Sequence, residues 1–161
     1  MSAASPSTPA TVALERAGVP FTPHVYEHHD SVTSFGEEAA AALGLREDQV
    51  FKTLVVSVDG DLAVAVVPVA DRLDLKAIAA AVGGKKASLA DPALAERRTG
   101  YVVGGISPVG QRTQLRTVLD ASASDHPTIF VSGGRRGFDI ELAPADLVRV
   151  TGASTAAIAR T

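Results

Sequence analysis

The chain contains no cysteine in 161 residues. That absence excludes a disulfide framework, thiolate metal sites and a protein thiol nucleophile. A reducing cytoplasm is the natural home of such a chain. No apolar run approaches the ~18 residues of a membrane span. The start, Met1 to Pro9, is rich in Ser, Ala and Pro, with neither a basic beginning nor an apolar core, so it does not read as a signal peptide. Metal-ligand spacing is missing too: His24, His28, His29 and His126 form no H-E-x-x-H or comparable pattern. No G-x-S-x-G elbow marks a serine nucleophile. Nor is there an excess of positive charge. A net charge of −3 rules out a generally basic nucleic-acid coat.

What is present is enough for one domain, since 46% of the residues are hydrophobic. We expect a loose tail at 1–7 and a single domain over 8–161. The charge is uneven. Residues 1–50 hold two Lys/Arg against seven Asp/Glu, a net of −5, and the remainder holds thirteen against eleven, a net of +2. Lys85-Lys86, Arg97-Arg98 and Arg135-Arg136 come in pairs, either as a basic rim or as ordinary solvated surface.

The punctuation predicts a mixed α/β domain. Thr8-Pro9 caps a first helix that stops at Gly18. Phe21 to Glu27 reads as a strand, placed at an edge by Pro23. Ser34-x-x-Glu37 is a capping box opening a helix that ends near Gly44. Val50–Val58 and Leu62–Val69 are strands joined by Asp59-Gly60, a strong hairpin signal. Asp74 opens a helix closed at Gly83-Gly84, and Asp91-Pro92 caps another that closes before Gly100. Short strands are expected around Tyr101–Val103, Thr117–Leu119, Ile129–Ser132 and Ile140–Leu142, then helix starts near Pro144 and near Ser154. The hairpin and short spacings argue against a purely parallel doubly wound sheet and for a central mixed, largely antiparallel one packed with helices.

Two features carry candidate chemistry. Gly104-Gly105-Ile106-Ser107-Pro108-Val109-Gly110 packs three glycines into seven residues, as a loop needs if it is to take φ > 0 or bring main-chain N–H groups close to a ligand oxygen. Lys52, in Val50-Phe51-Lys52-Thr53-Leu54-Val55-Val56, is a lone cation in a mostly apolar strand. It must either snorkel to the surface or face a cleft, because burying its charge is costly. The pairing suits an ester or a phosphate better than a metal. Gly133-Gly134-Arg135-Arg136-Gly137 suggests a phosphate cradle but matches neither Walker A nor the dinucleotide fingerprint. Tyr26 reads as a sheet aromatic or a site residue, and Asp139 as a turn residue or a site residue.

Taken in order, Pro20-Phe21, His24-Val25-Tyr26-Glu27-His28, Thr33-Ser34-Phe35-Gly36-Glu37-Glu38, Val50-Phe51-Lys52-Thr53-Leu54, Lys85-Lys86-Ala87, Ala90-Asp91-Pro92, the stretch 99–110 and Val131–Gly137 resemble the YbaK family of free-standing Cys-tRNA(Pro) deacylases. This family lies within the superfamily of editing domains associated with prolyl-tRNA synthetase. The resemblance spans roughly residues 8–150. It implies the editing-domain fold, no cofactor and no metal. It also implies removal of cysteine mischarged onto tRNA(Pro), with prolyl-tRNA synthetase as a partner. A hydrophobic pocket separates substrates of similar size by only ~1–3 kcal/mol, which is why a second, hydrolytic check is useful. Carried over residue by residue, Gly104 and Gly105 line an oxyanion site and Ser107-Pro108 fix that loop at the substrate. Lys52 holds the ester carbonyl or the terminal nucleotide, Tyr26 and Asp139 position the aminoacyl adenosine, and Arg135-Arg136 meet acceptor-end phosphates. The family's proposed nucleophile is the substrate's own thiol. A relative that deacylates Ala-tRNA(Pro) by water attack and a non-catalytic tRNA- or synthetase-binding module remain the alternatives.

Overall fold

The computed structural model describes residues 6–29 and 35–161. The first helix, α1 (Pro9–Arg16), opens as expected: the Thr8 hydroxyl accepts from the Thr11 amide at 3.2 Å, and the Thr11 hydroxyl accepts from the Thr8 amide at 2.9 Å. Gly18, at φ 67°, follows its end. Strand β1 (Thr22–Val25) is the edge of a three-stranded antiparallel sheet, where Pro23 costs no ladder in the interior. Next comes α2 (Phe35–Leu43). The capping box at Ser34 lies outside the described residues.

The hairpin forms where Asp59-Gly60 predicts it. Both residues take positive φ, at 51° and 92°, and join β2 (Phe51–Val58) to β3 (Asp61–Pro68). Then follow β4 (Arg72–Leu73), α3 (Leu75–Ala81) capped by Asp74, β5 (Ala87–Leu89) and α4 (Pro92–Thr99) capped by Asp91. The chain continues through β6 (Arg116–Asp120), a 3-10 turn at Ala121–Asp125, β7 (Ile129–Arg135), β8 (Phe138–Leu142), α5 (Pro144–Thr151), β9 (Ser154–Ala156) and β10 (Ala159–Arg160). None of the described helices is long and apolar enough to cross a membrane.

The larger sheet has the order β5-β2-β3-β6-β9. Its first three strands are antiparallel, while β3-β6 and β6-β9 are parallel, so the sheet is mixed as expected. The second sheet, β1-β8-β7, is antiparallel, and β10 pairs with β4 separately. Instead of one central sheet, two sheets enclose the main core. Phe51, Val55, Val64 and Val66 from the larger meet Ile129, Val131, Ile140 and Leu142 from the smaller, with Leu14 and Leu147 of α1 and α5 among them. The opposite face of β2 and β3 packs on Ile78 of α3 and on Ile158.

Two local expectations need correction. Tyr101–Val103 is not a strand. Gly100 and Gly104 both take positive φ, at 81° and 88°, and fold the segment back, while the Tyr101 hydroxyl donates to the Val109 carbonyl at 2.6 Å. Ser154 does not open a helix. Gly152, at φ 71°, ends α5, and Ser154–Ala156 then adds to the sheet parallel to β6.

Candidate functional site

A cavity of about 380 Å³ lies where the two sheets part, a size that suits a small ligand. β2 pairs with β3 over its whole length, but on its other edge β5 begins only at Val56. At the near end that edge meets β7 through the single bridge Val50–Phe130. In between, residues 51–55 present a strand edge that, among the described residues, is closed only where the Ala90 amide donates to the Val55 carbonyl at 3.0 Å. The cavity fills this gap and is lined from both faces of the strand, by Lys52 and Leu54 and by Thr53 and Val55.

One wall is apolar, made by Val55, Leu89, Ala90, Pro92, Ala95 and Ile106. The other carries Tyr26, Lys52, Thr53, Ser132 and Asp139. Lys52 lines the cavity and is half-buried. Its Nζ donates to the Asp71 carbonyl at 2.8 Å, which leaves two of its three N–H donors for a ligand. Ser132 and Asp139 are partners across the β7-β8 ladder. The Ser132 Oγ accepts from the Gly134 amide at 3.2 Å, so its own proton can point elsewhere.

Asp139 is 5% exposed, and its carboxylate makes no ion pair among the described residues. Burial pushes its carboxyl up to about 7. Tyr26 is held by its amide, which donates to the Gly137 carbonyl at 2.9 Å. Burial, then the neighbouring Asp139 and Glu38, push its phenol well above the usual range. Thr53 stands on the same strand face as the core residues Phe51 and Val55. Its hydroxyl is buried without a hydrogen-bond partner among the described residues.

Gly104 lines the cavity at φ 88°, and its amide has no acceptor among the described residues. A Cβ there would lie 2.8 Å from the tip of the Phe35 ring, so the aromatic rests directly on the glycine. Gly105 is built differently from its neighbour. Its amide donates to the Val102 carbonyl at 2.8 Å, and a Cβ would come within 2.7 Å of the Arg135 Cα. Its amide is spent inside the loop, and its missing side chain lets two backbones approach. Ser107 and Pro108 are buried behind the loop and do not line the cavity. The Ser107 hydroxyl accepts from the Val109 amide at 3.2 Å, its carbonyl accepts from Gln111 at 3.1 Å, and the Pro108 carbonyl accepts from Gln114 at 3.3 Å. They fix the loop's shape from behind.

Arg135 and Arg136 are exposed and also outside the cavity lining. The glycine-arginine run around them forms a bulged β7-β8 hairpin and does not open a helix as a phosphate loop would. Arg136 Nε donates to the Val103 carbonyl at 2.8 Å, and its Cζ stands 5.0 Å from the Phe35 ring centroid. Two of the four histidine rings are engaged with carboxylates: His24 with Glu141 at 3.0 Å and His28 with Glu38 at 2.7 Å. Among the described residues no three His, Cys, Asp or Glu side chains converge as metal ligands.

The structure therefore joins Lys52, Gly104, Tyr26 and Asp139 in one cavity and adds Thr53, Ser132 and Phe35, which residue reading did not single out. Thr53 carried a signal, a polar residue between Phe51 and Val55 on a core-facing register. Phe35 carried none, because its contact with Gly104 is made across the fold. A buried carboxyl, a cation and an uncommitted amide around an otherwise apolar space suit a small ester that bears its own positive charge.

Comparison with known proteins agrees with that chemistry. The chain belongs to the family described as the aminoacyl-tRNA editing domain, whose model matches residues 29–150. It is 37% identical over 152 residues to EbsC of Enterococcus faecalis, named provisionally as a Cys-tRNA(Pro)/Cys-tRNA(Cys) deacylase, covering 94% of this chain and 92% of that one. It is 29% identical over 142 residues to the multifunctional Ser/Thr-tRNA deacylase ProXp-y of Escherichia coli K12, covering 85% of this chain and 83% of that one. A crystal structure described as that of a candidate trans-editing enzyme for prolyl tRNA synthetase superposes with a TM-score of 0.81 at 29% identity. It covers 98% of this chain and all of the other.

Proposed function

We propose that this protein is a trans-editing deacylase that clears Cys-tRNA(Pro) by cleaving the ester between cysteine and the terminal adenosine. The observation that carries the reading is Asp139, a buried carboxyl that makes no ion pair among the described residues, in the same cavity as Lys52 and the Gly104 amide. An aminoacyl ester brings an ammonium group one carbon from its carbonyl. With the ammonium on Asp139, the carbonyl oxygen turns toward the Gly104 N–H and the Lys52 Nζ. Donors of this kind stabilise a developing oxyanion by on the order of 3 kcal/mol each.

The nucleophile is the substrate's own thiol. Its sulfur, once deprotonated, attacks the carbonyl carbon and forms a C–S bond. The tetrahedral intermediate collapses with loss of the ester C–O bond, and the ribose oxygen takes up a proton. The products are a cysteine thiolactone and free tRNA. Tethering raises the effective concentration of the thiolate, which is a better nucleophile than a hydroxyl. The four-membered ring is strained, so the oxyanion donors are essential to the step. A cytoplasmic setting and prolyl-tRNA synthetase as a partner go with this substrate.

The test is deacylation of Cys-, Ser- and Ala-charged tRNA(Pro), together with the S-methylcysteinyl form, by the purified protein. The reading expects cleavage of the cysteinyl ester and survival of the S-methyl ester. Rapid cleavage of the S-methyl ester would assign the attack to water, and preferential cleavage of the alanyl or seryl ester would assign the substrate to another amino acid.

A further inference from the structure

Two of the three basic pairs lie on elements that meet at Val103, a residue of the cavity lining, and the third does not. The last turn of α4 and the β7-β8 turn meet at Val103, immediately before Gly104. The Val103 amide donates to Glu96 at 2.8 Å, and its carbonyl accepts from Arg136 at 2.8 Å. Arg97 and Arg98 close α4 on one side of this junction, while Arg135 and Arg136 stand on the other. Arg112 joins the first group, with its amide donating to the Thr99 carbonyl and Nη1 to the Arg97 carbonyl at 3.4 Å.

All five arginines are exposed, and none makes an ion pair among the described residues. No Asp or Glu occurs from Arg97 to Leu119 or from His126 to Phe138. Glu96, the nearest acid in sequence, is occupied by the Val103 amide. By contrast, the Lys85 and Lys86 amides donate to Asp59, at the hairpin end of β2, seven residues and about 20 Å along the strand from Lys52.

Exposed arginines without an ion pair among the described residues, gathered where a cavity-lining segment reaches the surface, suit an anionic partner that lies outside the cavity while part of it lies inside. We propose that Arg97, Arg98 and Arg112, continuing the line from Arg135 and Arg136, form a docking band for the backbone phosphates of the tRNA acceptor end. The band lies beyond the terminal nucleotide whose ester enters the cavity. The inference rests on the aminoacyl-ester reading above. Arginine forks suit phosphate oxygens, and such contacts bind without reading sequence. The acidic remainder of the chain confines that attraction to the mouth.

The experiment compares Arg97→Glu/Arg98→Glu with Lys85→Glu/Lys86→Glu and the unaltered protein on two substrates, cysteinyl-tRNA(Pro) and cysteinyl-adenosine ester. It also follows salt-dependent binding of an uncharged acceptor-stem RNA hairpin. The band predicts that the arginine variant loses about tenfold or more in kcat/KM on the tRNA, through KM. The ratio of tRNA to minimal-ester turnover falls by the same factor, and the slope of log binding against log salt flattens by about 1 to 2. The lysine variant changes none of these. Equal losses in both variants, equal losses on both substrates, or an effect seen only when prolyl-tRNA synthetase is added would each overturn the band. If the unaltered protein cleaves neither ester, the functional reading fails by itself, and hairpin binding still decides the band.

Discussion

The two ends of β2 belong to one strand and are built to different rules. From Val56 to Val58 the strand is paired on both edges, with β3 and β5, and Val56 is wholly buried against Ile78, Val118 and Ala65. From Phe51 to Val55 one edge is largely open, and here, among the described residues, Thr53 holds a hydroxyl with no partner and Lys52 donates to one backbone carbonyl. Asp139 faces the same space from β8. A fold loses about 1–3 kcal/mol for each buried polar group left unsatisfied. The far end avoids that cost, whereas the near end carries it at the Thr53 hydroxyl and places beside it a half-buried ammonium and a buried carboxyl in one small cavity. Such a concentration marks a place where a ligand supplies the missing partners.

The comparison breaks first at Lys52. Lys52→Ala should reduce deacylation by on the order of 10²–10³-fold while the melting temperature stays close to that of the unaltered protein. Normal turnover by a folded variant would leave the near end without a catalytic cation.

Next is the glycine loop. Gly104→Ala forces a side chain into φ 88° and against the Phe35 ring, whereas Gly18, at φ 67°, has open space around it. Both substitutions should cost about 1–2 kcal/mol of stability from the left-handed backbone alone. Only Gly104→Ala should also lower kcat per folded molecule, by about tenfold or more if one oxyanion donor is displaced. Equal activity losses after correction for folded fraction would make the two glycines the same kind of residue.

Thr53→Val sharpens the contrast with a smaller effect. It keeps the shape and removes the orphan hydroxyl. Stability should hold or rise by up to about 1 kcal/mol, while kcat/KM for the cysteinyl ester falls severalfold. Destabilisation would mean that the hydroxyl has a partner in the free protein.

Much of this was legible in the sequence because it is local. Thr8-Pro9, Asp59-Gly60, Asp74 and Asp91-Pro92 act through bonds to residues a few positions away, and each forms as read. Lys52 stood out as a charge in an apolar run, and the glycine loop by its density. Other features depend on which distant segments meet. The open edge exists because β5 starts at Val56 and β7 leaves after Val50, and neither register is written in β2 itself. Gly104 and Gly105 look alike in sequence, yet Phe35 covers one and Arg135 backs the other. Ser154–Ala156 is a strand only because the edge of β6 is there to receive it.

The most direct test of the account is Asp139→Asn, followed by thermal unfolding at pH 5 and pH 8 and by deacylation. In the folded protein the carboxyl titrates near 7, against 3.8 for an unperturbed aspartate. Between those values the folded state binds more protons than the unfolded state, so stability falls as pH rises through that window. The full penalty is present at pH 8, with an upper limit of about 4 kcal/mol. The account predicts that Asp139→Asn melts above the unaltered protein at pH 5, where up to about 2 kcal/mol of the penalty is already present, melts further above it at pH 8, and has lost its activity because the ammonium no longer has a counter-charge. A variant that is less stable at pH 8, or one that deacylates Cys-tRNA(Pro) normally, would contradict it.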